Sequence, residues 1–413
     1  MSAVETTASV SARRRARRGR SLWWRVHQWA GLQASLYLTF VLVTGTLAVL
    51  AHEIDWLLRP AMWVAPTEVE ERVSWGTVTK AVTAHAPDAQ VLMLSAPLHA
   101  ASAFDAVIVR DGERRHVYVH PRTGTVTGEG AWMSVQRFLR DAHRRLMLFQ
   151  TFGGVRIGIV LVCLSSVLLL LSLVTSFWVY KKWWRGYLRW PRGRDARSLT
   201  GDTHRFMGLW SLWFVVVMTW TGLWYLAEEF GARPPLPPLP ALSSTLPARD
   251  AVLARSLDRG IAALEQARPD YQVTFVLWPS AGSPAFAVRG RDDRAMLVED
   301  AANSVWIAVD DGRLLGEIDA AALSLHQRIA AANNPLHFGT FAGYPSKIVY
   351  FVFGVGLSAL SLTGVAIYGL RLLKLERSAS WRRGLLLAWQ GMGRARWPAA
   401  ALCVLPFILV FFQ

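Results

Sequence analysis

The sequence has little cysteine, and its long apolar runs contain no acidic side chain. Only two of the 413 residues are cysteines. Because Cys163 and Cys403 both lie in apolar runs, we expect small buried thiols rather than a disulfide. No C-x-x-C, G-x-G-x-x-G, G-x-S-x-G or phosphate-binding P-loop occurs, which argues against a flavin or nicotinamide domain in this chain. The lack of Asp and Glu in the apolar runs argues against a proton-coupled transporter.

The sequence is instead rich in hydrophobic residues, which make up 53% of the chain and include 20 tryptophans. Four uncharged runs are long enough to cross the roughly 30 Å hydrocarbon core of a bilayer: Gly31–Leu50, Ile157–Tyr180, Gly208–Ala227 and Ile348–Leu370. A fifth candidate, Trp397–Phe412, is shorter and contains Pro406. The predicted fold class is therefore a polytopic α-helical membrane protein with four main transmembrane helices and a short fifth candidate.

The net charge of +16 is distributed in a way that indicates membrane orientation rather than nucleic-acid binding. Lysine and arginine concentrate beside the span ends, in Arg13–Arg25, Lys181–Arg197 and Arg371–Arg396. Such residues accumulate on the cytoplasmic side of membrane proteins, where they also contact lipid phosphates. We therefore expect a cytoplasmic N-terminus, both long segments between spans on the outer side, the lipid bilayer as a partner and no nucleic acid.

Two of the spans share one sequence pattern. HQWAGLQASLYLTFVLVTG runs from His27 to Gly45, and HRFMGLWSLWFVVVMTWTG runs from His204 to Gly222. In both copies a glycine, Gly31 or Gly208, follows the histidine by four residues, and a Thr-Gly pair ends the pattern. Eighteen residues make about five helical turns, so the histidine and the final glycine share one helix face. The pattern predicts a place where a flat ligand could dock.

The two long segments between spans predict small α+β units with the same order of elements. Each begins with a helix, Trp75–His85 or Ala251–Ala267, and continues with short strands bounded by turn residues. The predicted strands are Gln90–Ser95, Phe104–Arg110 and Arg115–His120 in the first segment, and Gln272–Trp278, Ala285–Arg289 and Val305–Val309 in the second. Each half therefore consists of a span, an α+β unit and a span, which indicates internal duplication.

The predicted boundaries follow from these elements. They are a disordered basic N-terminus at 1–20, the first span at 21–53, the first α+β unit at 54–142, the second span with its leading segment at 143–181, a cytoplasmic loop at 182–203, the third span at 204–228, the second α+β unit at 229–336, the fourth span with its leading segment at 337–371, and a C-terminal segment with the fifth candidate at 372–413.

Three motifs carry a family resemblance: the H-x3-G…T-G pattern of the spans, the turn HPRTGTV (His120–Val126) that closes the first unit, and LHFGTFAG (Leu336–Gly343) before the fourth span. With these motifs the chain resembles the PepSY-associated transmembrane family from about Ser21 to Leu375. That family includes ferric-siderophore reductases of the bacterial inner membrane that carry b-type haem held by histidines near the span ends. The resemblance implies the same membrane for this chain, with two periplasmic PepSY-like units. The second unit lacks the Pro-x-Thr-Gly turn, and the tail after Ser378 falls outside the resemblance.

The histidines beside the spans are the candidate haem-iron ligands. His27 and His204 occupy equivalent repeat positions on the cytoplasmic side, and we refer to them as the inner pair. His143 and His337 precede the second and fourth spans, and we refer to them as the outer pair. His52, on the same helix face as His27, is a substitute outer ligand. The alternative for each is an interfacial histidine bonded to lipid or backbone.

Haem supplies one-electron chemistry that side chains lack, and the sequence predicts two haems. The four repeat glycines, Gly31, Gly45, Gly208 and Gly222, could leave room for the macrocycles, although ordinary helix packing explains them equally well. Arg25 and Arg205 could pair with the propionates of the inner haem. Since no C-x-x-C-H occurs, the haem would be b-type.

The predicted function is the reduction of a periplasmic ferric siderophore, which releases Fe(II). The electron donor would be a cytoplasmic reductase, a quinol or a small reductant. Two alternatives remain open at this point. One is a non-catalytic, membrane-anchored module that binds or regulates a peptidase, and the other is a haem conduit to a different periplasmic acceptor.

Overall fold

The computed structural model describes residues 22–235, 250–280, 283–295, 297–377 and 380–412. It consists of two compact units. The span unit comprises Met1–Leu50, Phe138–Arg233 and His337–Gln413, and the sheet unit comprises Ala51–Arg137 and Pro234–Leu336. The N-terminal segment predicted to be disordered lies outside the described residues.

The described residues form α-helices and β-strands, which are numbered separately in chain order. The helices are α1 (Leu22–Gln33), α2 (Ser35–Val49), α3 (Ala51–Leu58), α4 (Trp75–His85), α5 (Val135–Arg145), α6 (Ile157–Val179), α7 (Ala196–Trp210), α8 (Leu212–Ala227), α9 (Asp250–Ala267), α10 (Leu325–Phe338), α11 (Gly343–Glu376), α12 (Trp381–Gly391) and α13 (Arg396–Leu409). The strands are β1 (Gln90–Ser95), β2 (Phe104–Arg110), β3 (Glu113–Val119), β4 (Val126–Ala131), β5 (Thr151–Phe152), β6 (Val155–Arg156), β7 (Gln272–Leu277), β8 (Ala285–Arg291), β9 (Ser304–Ala308) and β10 (Leu314–Glu317).

The span unit holds the helices that are long and apolar enough to cross a membrane. Three described helices meet that condition singly: α6, α11 and the C-terminal stretch Gly393–Phe412, which includes α13. Two bent pairs, α1 with α2 and α7 with α8, meet it together. The described chain therefore has three to five candidate spans and is a multi-pass membrane protein, and the short C-terminal run is among the candidates.

The first and third spans are bent where the sequence predicts continuous helices. The two helices of each pair meet at 63° (α1 and α2) or 64° (α7 and α8). The breaks fall at Ala34 and Ser211, each seven residues after the histidine of its repeat. At these two residues ψ is 7° and 3°, well away from the value of a regular helix. As a consequence, His27 and His204 lie on short helices that are tilted against the spans they precede.

Glycine turns fold the chain back ahead of the second and fourth spans. Gly153 and Gly154 connect β5 to β6 with positive φ of 56° and 83°, a backbone shape that two-residue hairpin turns require. Gly339 and Gly343, with φ of 66° and 64°, turn the chain between α10 and α11. His143 and His337 precede the apolar runs of the second and fourth spans by fourteen and eleven residues, and these turns return the chain toward the spans.

The sheet unit contains one antiparallel sheet of eight strands in the order β10-β9-β8-β7-β1-β2-β3-β4. Each long segment contributes four strands and one helix, and the six predicted strands match the observed ones to within two residues. Side chains of α4 and α9, such as Val82 and Leu257, share one buried core with Leu94 of β1 and Val276 of β7.

The two predicted α+β units share one continuous sheet, which the sequence analysis did not predict. Strands β1 and β7 pair antiparallel with Leu94 opposite Val276. An unpaired strand edge invites association with other chains, so pairing the two halves edge to edge removes one such edge from each. The helices also meet, since the Gly76 N–H donates a 2.6 Å hydrogen bond to the Asp258 carboxylate.

Candidate functional site

The outer pair of histidines is brought face to face within the span unit. His143 lies in the last turn of α5 and His337 in the last turn of α10. Their ring centroids are 6.1 Å apart, and the ring planes differ by 29°. Aligning the T-F-x-G motif that begins at Thr151 with the one that begins at Thr340 places Leu148, not His143, opposite His337. The pairing of the two histidine rings therefore comes from the tertiary structure.

Both outer rings form hydrogen bonds through Nδ1. His337 Nδ1 lies 2.8 Å from the Thr221 hydroxyl, and His143 Nδ1 lies 2.9 Å from the Val41 carbonyl. Because a carbonyl can only accept, His143 Nδ1 must carry its hydrogen. Thr221 donates its own hydroxyl hydrogen to the Val217 carbonyl at 2.8 Å, which leaves its oxygen to accept from His337. This network assigns the Nδ1–H form to both rings.

The inner histidines form hydrogen bonds of the same kind through Nδ1. His27 Nδ1 lies 2.9 Å from the Thr175 hydroxyl of α6, and His204 Nδ1 lies 3.0 Å from the Thr363 hydroxyl of α11. Each threonine hydroxyl also donates to a backbone carbonyl of its own helix, at 2.7 Å for Thr175 and 3.0 Å for Thr363. The inner rings are therefore also held as Nδ1–H donors.

This arrangement suits the axial ligands of a haem. A metal-bound imidazole commonly donates its second ring N–H to a carbonyl, carboxylate or water, which fixes its orientation and leaves the other nitrogen for the metal. Here Nδ1 of His143 bonds to a carbonyl and Nδ1 of the other three rings bonds to a threonine hydroxyl, so each ring keeps Nε2 for a metal. With metal–imidazole bonds of about 2 Å and a further ring radius of about 1 Å on each side, two rings across one iron have centroids about 6 Å apart. The outer pair, at 6.1 Å, fits that separation.

The described residues contain no cluster of the kind that holds a metal ion through protein side chains alone. Nowhere in them do three or more His, Cys, Asp or Glu side chains cluster as metal ligands. A zinc ion held by protein alone needs three or four such ligands. Two imidazoles suffice only where another group, such as a porphyrin, provides the remaining donors.

The four repeat glycines differ in their surroundings. A Cβ at Gly45 would lie 2.5 Å from Cε1 of His143, so this glycine makes room for that imidazole ring rather than for a macrocycle. A Cβ at Gly222 would lie 2.7 Å from Cβ of Ser166, which indicates close packing of α8 on α6. Gly31 would meet nothing within 4 Å, and Gly208 would make only ordinary contacts. Close packing therefore explains Gly45 and Gly222.

The remaining predicted residues have different roles from one another. Arg205 forms an ion pair with Asp202 at 2.9 Å and donates to the Arg189 carbonyl, so a local carboxylate already occupies this proposed propionate partner. Arg25 is exposed and lines a cavity of about 180 Å³. His52 belongs to the sheet unit, where its Nε2 lies 3.5 Å from the Gln136 amide.

A group of arginines lies near the outer pair and was not identified from the sequence. Arg140, Arg144 and Arg145 lie on α5, and Arg156 begins the following span. Burial lowers the pKa of Arg144, and the like charges of Arg145, Arg156 and Arg140 lower it further. Asp141 pairs with Arg140 and Arg145, and Glu229 pairs with Arg156. Arginines outnumber these two carboxylates, so the excess positive charge at this end of the span unit favours an anion. The run RFLRDAHRR (Arg137–Arg145) at helical spacing could have revealed this feature.

Comparison with known proteins agrees with the motifs. The family described as PepSY-associated TM region matches residues 24–371. An uncharacterized protein of Pseudomonas aeruginosa is 27% identical over 244 residues, which is 54% of this chain and 60% of that protein. The match thus spans three fifths of the relative's length and carries no described activity. Because the family profile covers most of the sequence, the chain belongs to the PepSY-associated transmembrane family.

Proposed function

We propose that this protein is a haem-b oxidoreductase of the bacterial inner membrane that reduces a ferric siderophore on the periplasmic side. The observation that carries the proposal is the pair of matched histidine sites. His27 and His204 form one site and His143 and His337 the other, and all four rings are held through Nδ1.

The two sites are spaced for transfer across a membrane. His27 and Thr44 are separated by seventeen residues of α1 and α2, about 25 Å of helix at 1.5 Å per residue before the bend is considered. Thr44 lies beside the outer ligand His143. The inner and outer pairs therefore lie near opposite ends of the apolar bundle.

Each group of residues would have a separate role in the proposed reaction. The histidines would hold a haem at each site, and haem supplies reversible one-electron iron chemistry when bound. The threonine hydroxyls and the Val41 carbonyl keep the imidazoles oriented. The apolar spans exclude water between the two sites, and the arginines of α5 favour an anionic substrate or the propionates. Siderophores hold Fe(III) through hard oxygen donors, so a single electron weakens the complex and releases Fe(II).

The proposed orientation and architecture come from the sequence. The clusters of arginine and lysine beside the span ends favour a cytoplasmic N-terminus and a periplasmic sheet unit built from two PepSY-like halves. The breaks at Ala34 and Ser211 occupy equivalent repeat positions, which supports an internal duplication. Exported-reporter fusions at the turn glycines Gly112 and Gly312 should be active, and activity of a cytoplasmic reporter at either glycine would contradict this topology.

Absorption spectroscopy of the purified full-length protein is the first test. We expect a b-type spectrum that corresponds to two haems per chain and a pigment that acid-acetone extracts. A protein without haem would favour the peptidase-binding alternative, and a haem that stays attached to the polypeptide would contradict the b-type assignment.

The reaction itself can be tested in proteoliposomes that contain a reductant inside and a ferric siderophore with an Fe(II) chelator outside. We expect His27→Ala to abolish formation of the Fe(II) complex. The matched control is His85→Ala, because His85 lies in the sheet unit and bonds to Glu129 at 2.9 Å. Haem that becomes reduced without any Fe(II) release, for several siderophore classes, would favour the conduit to another acceptor.

A further inference from the structure

A cavity lies on the far side of α1 from His27, outside both histidine sites. It has a volume of about 180 Å³ and is lined by Arg25, Gln28, Trp29, Leu32, Gln33, Tyr368 and Gly391. At about 100° per residue, the five lining residues of α1 share one helix face, and His27 lies on the opposite face. A single helix, about 10 Å across, therefore separates this cavity from the inner histidine pair.

The lining combines polar groups that can bind an aromatic alcohol with an apolar floor. The Gln33 amide donates to the Gly391 carbonyl at 3.0 Å, which holds the side chain in place with its oxygen as an acceptor. Gln28 and the Tyr368 hydroxyl add further donors and acceptors. Leu32 is 5% exposed and forms the floor, whereas Trp29 is 57% exposed and lies at the rim.

The second copy of the repeat lacks an open face of this kind. There Phe206 and Trp210 occupy the positions of Trp29 and Gln33. Trp190 stacks on Phe206 at 5.0 Å, and Trp210 donates from its indole to the Tyr187 carbonyl at 3.0 Å. Residues from the loop before α7 therefore cover the equivalent face in the second copy. In the first copy the face carries amides and remains open.

The size and chemistry of the cavity restrict the donor. A cavity of about 180 Å³ lies below the roughly 300–1,000 Å³ of pockets for drug-sized ligands, so it can hold one substituted ring but not a dinucleotide or a flavin nucleotide. A one-electron acceptor also requires a donor that can release its electrons singly, whereas a nicotinamide gives up a hydride. The exposed Trp29 on a helix of the first span favours a ligand that arrives through the lipid.

We infer that this cavity binds the ring of a membrane quinol, which donates electrons to the inner histidine site. This inference rests on the proposed function. Each quinol would lose two electrons and two protons and become a quinone. The electrons would pass one at a time to oxidised iron at the inner pair and onward to two ferric chelates, and the protons would leave to cytoplasmic water past Arg25 and Gln28.

Direct binding tests the cavity independently of haem. The probe is 2-heptyl-4-hydroxyquinoline N-oxide, a fluorescent quinol analogue, titrated into the full-length protein in nanodiscs. We expect saturable binding that Gln33→Leu and Trp29→Ala weaken at least tenfold. The control is Trp24→Ala, because Trp24 is also exposed on α1 but does not line the cavity. Gln28→Leu provides a second variant if loss of the Gln33 bond to Gly391 disturbs folding.

Kinetics complete the test. Decylubiquinol should reduce the haem of the purified protein, at least tenfold more slowly in Gln28→Leu and Trp29→Ala, whereas dithionite should reduce all variants equally. Equal binding of the probe by all variants would overturn the inference. The inference would also be overturned if the protein did not bind the probe and water-soluble ascorbate reduced the haem in a way that depended on the same residues. A protein without haem that still binds the probe through these residues would refute the proposed function but not the cavity assignment.

Discussion

The inner and outer histidine pairs differ in whether the histidines or their neighbouring threonines occupy equivalent positions of the sequence repeat. In the inner pair the histidines themselves are equivalent, since His27 and His204 occupy the same repeat position. In the outer pair the equivalent residues are the threonines beside the histidines, Thr44 and Thr221, whereas His143 and His337 are unrelated in the repeat. Each bent span therefore provides a proposed haem ligand at one end and a hydroxyl beside an outer histidine at the other.

This difference shows how one repeated helix can serve two sites. Equivalent helices that cross in the same direction bring equivalent residues to the same depth, which places two histidines together at one end. At the other end the same geometry places two threonines in equivalent positions. The histidines that form hydrogen bonds there come from the last turns of two short helices, α5 and α10, and glycine turns follow both.

The largest expected effect tests whether each pair acts as one site. We expect His27→Ala and His204→Ala each to remove the same haem absorption component, because two ligands of one iron act as a unit. His143→Ala should remove the other component. Redox titrations of the haem spectrum measure both.

The double variant His27→Ala/His204→Ala should lose no more haem than either single variant. If the two single variants lost different components, or if both retained full haem content, the inner pairing would be wrong. His326→Ala, in the sheet unit, provides a control for nonspecific effects of histidine removal.

The next largest effect is expected from a glycine substitution that disturbs only the outer site. Gly45→Ala would place a methyl group 2.5 Å from the ring of His143, so we expect displacement of that ligand and loss or conversion of the outer component to a high-spin form. Gly31→Ala lies in the same repeat with nothing within 4 Å and should leave both components unchanged. Electron paramagnetic resonance reports the spin state, and an unchanged outer signal in Gly45→Ala would show that His143 does not bind iron.

A smaller effect is expected at the threonines. Thr221→Val removes the acceptor for His337 Nδ1, and loss of such a partner typically weakens metal binding by about 10–100-fold. Thr44→Val should have little effect, because the Val41 carbonyl still accepts from His143 at 2.9 Å. Thr221→Ser should restore binding. Haem affinity and midpoint potential measure the series, and equal effects of Thr44→Val and Thr221→Val would contradict this asymmetry.

The smallest effect concerns a histidine that belongs to neither pair. Burial raises the pKa of Glu129, but hydrogen bonds and charges from His85 and Arg110 outweigh it, so its net pKa is lowered. Its stabilising contribution is therefore present above the unfolded pKa and is lost as the pH falls through the folded pKa. We expect His85→Ala to destabilise the sheet unit by less than about 1 kcal/mol at neutral pH and to leave both haem components intact.

Hydrogen exchange of the sheet unit at about pH 5 and about pH 3, both below the ordinary pKa of histidine, measures that change. The difference between the wild type and His85→Ala should shrink at the lower pH, where Glu129 binds a proton in the unfolded chain before it does in the folded one. A larger difference at acidic pH would contradict the stated direction of the pKa shift.

Local patterns in the sequence determined much of the architecture. Hydropathy and uninterrupted length located the candidate spans, and the alternation of apolar residues between turn signals located the strands to within two residues. The equal spacing of two motifs predicts His27 and His204 as partners. These features depend on residues that are close in sequence, or on the helical period, and so they can be read from the chain.

The tertiary structure alone decided how distant parts meet. The helix breaks at Ala34 and Ser211 have no proline or other strong signal in the sequence. The antiparallel pairing of β1 with β7 joins strands from two distant segments of the chain. The pairing of His143 with His337, and the threonine partners of all but His143, join residues more than a hundred positions apart. Such contacts arise from the packing of whole helices, which no local period or composition encodes.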